Sequence, residues 1–87
     1  MDIQFTNDAW LEYVSWQQQD KKTIKKINEL LKDITRGNPF EGIGQPEALK
    51  EDWSGFWSRR IDSCNRLVYK IDLDKEICQI VQCKGHY

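Results

Sequence analysis

Ser54-Gly55-Phe56-Trp57-Ser58-Arg59-Arg60-Ile61, then after a polar turn Asn65-Arg66-Leu67-Val68-Tyr69, reads as a β-hairpin. Both arms are rich in aromatic and β-branched residues, and Asp62, Ser63 and Asn65 are turn formers. Three arginines interrupt this apolar pattern: Arg59, Arg60 and Arg66. Arginine is rarely placed in a small sheet for packing alone, so the cluster predicts a surface prepared for an anion, most simply a phosphate. Strand side chains alternate between faces. Arg60 and Arg66 therefore share a face if the loop has odd length, such as 62–64, and oppose each other if it spans 62–65. The sequence leaves this register open.

Outward from the hairpin, Ile3-Gln4-Phe5 alternates as a short first strand. Asn7 or Asp8 is placed to cap a helix with Trp10, Tyr13 and Val14 on one face, ending near Gln19. Asp20 caps a second helix whose stripe is Ile24, Ile27, Leu31 and Ile34, with Leu30 beside it and lysines opposite. Gly37 suits the C′ position, and Asn38-Pro39 cannot continue the helix. The two helices should pack as an antiparallel hairpin. Residues 39–46 read as a loop leading into Glu47-Ala48-Leu49-Lys50, and Ile77–Cys83 is a last strand after the turn at Asp72–Lys75. The expectation is an α+β fold, β-α-α-β-β-β, in one domain over 1–87. Both helices would lie on one face of a mainly antiparallel sheet.

Size and composition narrow the classes. Eighty-seven residues allow one core, with roughly 40% of the unfolded chain's surface still exposed. Four Trp, three Tyr and three Phe partly offset this. No apolar run approaches a membrane span, and the N-terminus lacks a basic start followed by an apolar stretch, so we expect a cytoplasmic protein. Cys64, Cys78 and Cys83 are odd in number and lack metal-ligand spacing. They predict small buried or half-buried residues in a reducing compartment, not a disulfide framework or a zinc site. Net charge is −1, but residues 21–36 hold six bases (Lys21, Lys22, Lys25, Lys26, Lys32, Arg36) against two acids. That run is a solvated helix face in the plainer reading and a landing strip for a polyanion in the functional one.

The residues able to carry chemistry are Glu47, Lys50, Arg59, Arg60, Arg66, His86 and Tyr87. Singly, each has an ordinary explanation: a snorkelling strand arginine, a solvated loop glutamate, a frayed chain end. Together they supply a carboxylate, an imidazole, a phenol and fixed cations, without a Ser/His/Asp or Cys/His pairing, a metal cluster or a phosphate-binding loop. That inventory fits metal-independent, cofactor-free RNA cleavage by the neighbouring 2′-hydroxyl. The reaction needs a base (Glu47), an acid (His86), and cations on the crowded phosphate (Arg60 and Arg66, with Lys50 adding charge). Tyr87 would orient His86 or stack on a base. A carboxylate is a weak base at neutral pH, so much of the rate must come from substrate positioning, which can contribute roughly 7–11 kcal/mol.

In Ala9-Trp10, Trp16, Lys25-Lys26-Ile27-Asn28-Glu29-Leu30, Pro39-Phe40-Glu41-Gly42-Ile43-Gly44, Pro46-Glu47-Ala48-Leu49-Lys50, Gly55–Ile61, Arg66-Leu67-Val68-Tyr69 and the final His86-Tyr87, the chain resembles the YoeB/Txe toxins of the RelE/ParE superfamily. The resemblance runs through nearly the whole chain. It implies a RelE-like fold and a ribosome-dependent mRNA interferase acting in the A site. It also implies Glu47 as base, Arg66 as phosphate-stabilising group, His86 as acid and Tyr87 as terminal site residue, with Lys50 and Arg60 as further active-site cations. Arg59 is grouped with these as a substrate-binding residue on the hairpin reading alone. The implied partners are a second copy in a homodimer, the ribosome and its mRNA, and a YefM-like antitoxin through which operator DNA is bound. Two positions depart from the family pattern: Gln45, where Lys is common, and Gly85, where an aromatic or acidic residue is common. The rival readings are a ParE-like gyrase poison, which does not call for a Glu–Arg–His set, and a non-catalytic module that docks on RNA or protein through the basic helix.

Overall fold

The computed structural model describes residues 1–87. Its elements are β1 (Asp2–Phe5), α1 (Asn7–Gln19), α2 (Lys21–Arg36), β2 (Glu47–Ala48), a 3-10 turn at Glu51–Trp53, β3 (Trp57–Arg60), β4 (Arg66–Asp72) and β5 (Ile77–Gln82). The strands form one sheet in the order β1-β5-β4-β3-β2. All neighbours are antiparallel except β1 and β5, the first and last strands in the chain, which run parallel. The expected α+β fold is therefore present with a fifth strand, β2. It is only two residues long, and it takes Glu47 out of the loop expected from sequence.

Alternation divides the sheet cleanly. Arg59, Leu67, Tyr69, Ile71, Cys78 and Ile80 share one face by register. Leu67, Tyr69, Cys78 and Ile80 join Ile27, Leu30, Leu31 and Ile34 of α2 and Ala9 and Trp16 of α1 in one buried cluster, with Ile71 packed against it. The α2 stripe thus follows the expected spacing, with Leu30 inside it and Ile24 only partly buried. In α1 the buried residues are Ala9 and Trp16; of the expected Trp10-Tyr13-Val14 face, Tyr13 packs half-buried against the core while Trp10 is 49% exposed. It lies instead at the sheet edge, 5.6 Å from Phe5 and 5.9 Å from Tyr13 between ring centroids. A helix that crosses one end of a sheet buries fewer positions than its apolar pattern offers.

The caps explain the abrupt turn between the helices. Thr6, one residue before the expected position, caps α1 by accepting from Ala9 N at 3.2 Å. Asp20 ends α1 and caps α2, accepting from Lys22 N, Thr23 N and Thr23 Oγ1. Hydrogen bonds from the Thr23 side chain and backbone hold its carboxyl below the ordinary aspartate range. Gly37 closes α2 through Gly37 N donating to Asp33 O, with φ −107°, so the left-handed C′ geometry expected there is absent.

Candidate functional site

The hairpin register answers the question that the sequence left open. Arg60 lies directly opposite Arg66. The pairing continues through Ile61 N donating to Asn65 O at 3.0 Å, which leaves 62–64 as the turn. Both arginines therefore rise from the same face, the one away from the helices. Ser58 pairs with Val68, and Glu47 with Ser58, so these three share that face. Ser58 and Val68 are buried and form its floor, while Glu47 and Arg60 are exposed. Phe56, just before β3, lies edge to face with Trp53 at 5.5 Å, and Lys70 Nζ stands over its ring at 5.4 Å. Glu47 is two strands and two residues from Arg66, about 12 Å between Cα atoms at standard sheet spacings. Two long side chains across that span can address one phosphodiester between them.

The charge balance of this face is unusual. Two guanidinium groups sit on directly opposed residues, an arrangement that is unfavourable for like charges. The single ion pair of the protein lies elsewhere, between Arg59 and Asp33. Arg66 donates through Nη1 to Asp62 O at 2.7 Å and Asn65 O at 3.2 Å. No buried side-chain nitrogen or oxygen lacks a partner, so its remaining nitrogens are open to solvent. The geometry is that of a braced cation with donors to spare, which an anionic oxygen would satisfy.

The chain end returns to this place. One extra residue, Val81, bulges from β5, because Val68 faces Gln82 while Tyr69 faces Ile80. The bulge turns Cys83 inward. Its carbonyl accepts from Trp16 Nε1 at 2.8 Å, its N donates to Glu12 Oε1 at 2.8 Å, and its thiol is buried against Ala9 O. Gly85 then docks on the first residues of β4. Arg66 N donates to Gly85 O at 3.0 Å, and Gly85 N donates to Asn65 Oδ1 at 2.7 Å. Gly85 has φ +85°, so glycine fits the turn that a larger residue would strain. His86 and Tyr87 follow, stacked on each other at 4.8 Å, with His86 exposed and Tyr87 half-buried.

Of the expected site residues, Glu47, Arg60 and Arg66 share a face, and His86 and Tyr87 come to its Arg66 end. Lys50 is exposed just beyond β2, its side chain in no hydrogen bond or ion pair. Arg59 does not belong to the set, and its placement as a substrate-binding residue is corrected here. It points to the helix side and is fully buried. Nε donates to Tyr69 Oη at 3.1 Å, Nη1 to Asp33 Oδ2 at 2.5 Å and Ile43 O at 3.1 Å, and Nη2 to the carbonyls of Asn38, Pro39 and Glu41 at 3.0, 3.3 and 3.1 Å. The Arg59 hydrogen bond holds the Asp33 carboxyl below its ordinary range, and burial pushes the Tyr69 phenol up. Arg59 thus fastens the loop that delivers Glu47. Gly44 in that loop is pressed so close that an added Cβ would stand 2.7 Å from Leu30.

Asp62 and Asn65, expected only as turn formers, brace the hairpin turn through their side chains. Asp62 Oδ1 accepts from Cys64 N, Asn65 N and Asn65 Nδ2; burial pushes its carboxyl up, but these bonds and the nearby Arg66 charge outweigh it and hold it below the ordinary range. The Asp-x-x-Asn spacing was the available signal for that brace. Cys64 in the same turn is exposed, contrary to expectation, whereas Cys78 and Cys83 are buried, each thiol pushed up to about 12. No helix is long and apolar enough to cross a membrane.

Comparison with known proteins places the chain and its fold in a family. The family described as YoeB-like toxin of bacterial type II toxin-antitoxin system matches residues 5–87. Toxin YoeB of Streptomyces coelicolor is 52% identical over 87 residues, covering all of both chains, and toxin YoeB of Escherichia coli K12 is 49% identical over the same span. A YoeB/ParE toxin from Agrobacterium tumefaciens superposes with a TM-score of 0.96 at 39% identity, covering all of both chains. YoeB in a heterotetrameric YoeB-YefM complex from Staphylococcus aureus does so with a TM-score of 0.90 at 48% identity, covering all of this chain and 98% of that one. The same fold recurs at 15% identity in a YafQ variant from E. coli, with a TM-score of 0.80 over 98% of this chain and 92% of that one. The chain belongs to the YoeB family, the toxins of bacterial type II toxin-antitoxin systems.

Proposed function

We propose that this toxin is a metal-independent endoribonuclease that cuts mRNA in the ribosomal A site and so stops translation. The observation that carries the reading is the directly opposed pair Arg60–Arg66, neither in an ion pair, on a face shared with Glu47, with the His86-Tyr87 end docked beside it. In the proposed reaction Glu47 takes the proton of a ribose 2′-hydroxyl. That oxygen bonds to the adjacent phosphorus, and the bond from phosphorus to the 5′-oxygen of the next nucleotide breaks. His86 gives the departing oxygen its proton, leaving a 2′,3′-cyclic phosphate and a 5′-hydroxyl. Arg66 and Arg60 hold the phosphate as charge gathers on its oxygens, and Lys50 adds to the field. Tyr87 stacks on His86 and fixes its ring.

The face is open and shallow, with no wall to force an RNA strand into line. A ribosome presenting the codon would supply that positioning, the larger part of the barrier reduction. A YefM-like antitoxin segment would neutralise the toxin by lying over the same face, and operator binding would run through that complex. The solved YoeB-YefM complex and YoeB dimer from S. aureus support such partners, and a homodimer; the proposed place of action is the cytoplasm.

Primer extension on a translating extract tests the reading. Cuts inside ribosome-bound codons are expected, and Glu47→Gln should slow them without weakening ribosome binding. Intact mRNA, or gyrase-dependent DNA breaks in its place, would overturn it.

A further inference from the structure

The tail that bears His86 has few anchors of its own. Beyond Cys83, the backbone of the last four residues is tied to the rest of the molecule at Gly85 alone, through Arg66 N to Gly85 O and Gly85 N to Asn65 Oδ1. The first bond uses the backbone of the proposed phosphate-binding residue. The second depends on one side chain, and that side chain is itself fixed. Asn65 Nδ2 donates to Asp62 Oδ1 and Oδ2 at 3.1 and 3.0 Å, which turns Oδ1 towards the tail. Asn65 O meanwhile accepts from Arg66 Nη1 at 3.2 Å. One turn residue therefore touches both the guanidinium side of the site and the strand end that carries the imidazole.

Resting on the reading above, we propose that Asn65 is a positioning residue. Through Asp62 on one side and Gly85 on the other, it latches the His86-Tyr87 end against Arg66. It touches no substrate. Its effect is to keep the imidazole within reach of a phosphate that the arginine holds. Without the Asn65 side chain, Gly85 retains one bond and the last residues sweep a wider arc. Rate should fall with the share of time the acid is in place, while the phosphate-binding cations are unchanged.

His86 is the single histidine of the chain, so its two carbon-bound imidazole protons give NMR signals with no rival histidine. Asn65→Ala should lower backbone order parameters at residues 85–87 from those of ordered chain to below about 0.6 and narrow the His86 resonances. It should reduce kcat on programmed ribosomes about tenfold, the size of one lost hydrogen bond, with KM unchanged. Gly85→Ala attacks the latch from the tail, where φ is +85°, and leaves the hairpin turn intact; it should reproduce both effects. A tail that stays ordered in both variants overturns the proposal, as does a loosened tail with unchanged kcat, or a fall confined to KM. If the wild-type protein cuts no ribosome-bound mRNA, the proposed function has failed, while the order parameters still decide whether the latch exists.

Discussion

Arg59 and Arg60 are neighbours in sequence and opposites in the structure, so the same substitution at each should have opposite consequences. Arg59→Met keeps much of the side-chain length and removes six hydrogen bonds. Pro39 O keeps Tyr69 Oη as a donor at 2.7 Å, but the carbonyls of Asn38, Glu41 and Ile43 lose theirs, and the Asp33 carboxylate loses its ion pair. Breaking a buried pair by removing one partner costs about 3–5 kcal/mol. Asp33 is 33% exposed, so water can take over part of its solvation. The three carbonyls belong to exposed residues and are partly rehydrated too, so the lower end, about 3–4 kcal/mol, applies. A chain of 87 residues has about 4–13 kcal/mol in all. The variant should melt roughly 12–32 °C below wild type, at about 4–8 °C per kcal/mol. Arg60→Met changes an exposed residue and should stay within about 0.5 kcal/mol, or gain slightly from relieving the repulsion with Arg66. Thermal unfolding followed by circular dichroism, at several scan rates, reads both. An Arg59→Met melting point within about 5 °C of wild type would refute the view that this guanidinium organises the loop. Arg60→Met should instead lose ribosome-dependent cleavage while remaining folded.

Acid should destabilise the fold in the window set by its carboxylates. Asp33, Asp62 and Asp20 all have folded pKa values below the ordinary 3.8, so their contribution is full above that value and lost as pH falls through the folded ones. Asp33→Asn should flatten the stability profile below about pH 3.8, and an unchanged profile would count against the Arg59 pairing. Trp16→Phe removes the donor to Cys83 O and should cost on the order of 1–3 kcal/mol, measured by urea denaturation. Native protein should take up one equivalent of iodoacetamide, at Cys64, and three only when unfolded. Mass spectrometry of the modified peptides checks this, because Cys78 and Cys83 are buried with thiols pushed up to about 12.

Much of the architecture was legible because it rests on local chemistry. Asp20 and the α2 stripe are caps and periodicity, which a chain carries in its own neighbourhood. The Trp16 side of α1 was not legible, since which face of a helix is buried depends on the sheet it meets. The strand at Glu47-Ala48 is too short to leave a pattern and exists only because β3 is beside it. For the site, the list of reactive groups could be read but not its sorting. Arg59 and Arg60 have the same side chain, and a shift of one residue in the hairpin would exchange their places. Asn65 looked like any turn residue, because its second bond is to a glycine twenty positions away.

The parallel pairing of β1 with β5 sets an order on birth. β1 is made first, yet the strand it lies beside emerges last, so the opening segment waits through nearly the whole of synthesis with its hydrogen-bonding edge unused. A chain arrested before Ile77 could still pair β2, β3 and β4, but β1 would lie outside any sheet. The five-stranded sheet, and with it the docked tail, can come into being only once Ile77–Gln82 has been made and stands between β1 and β4.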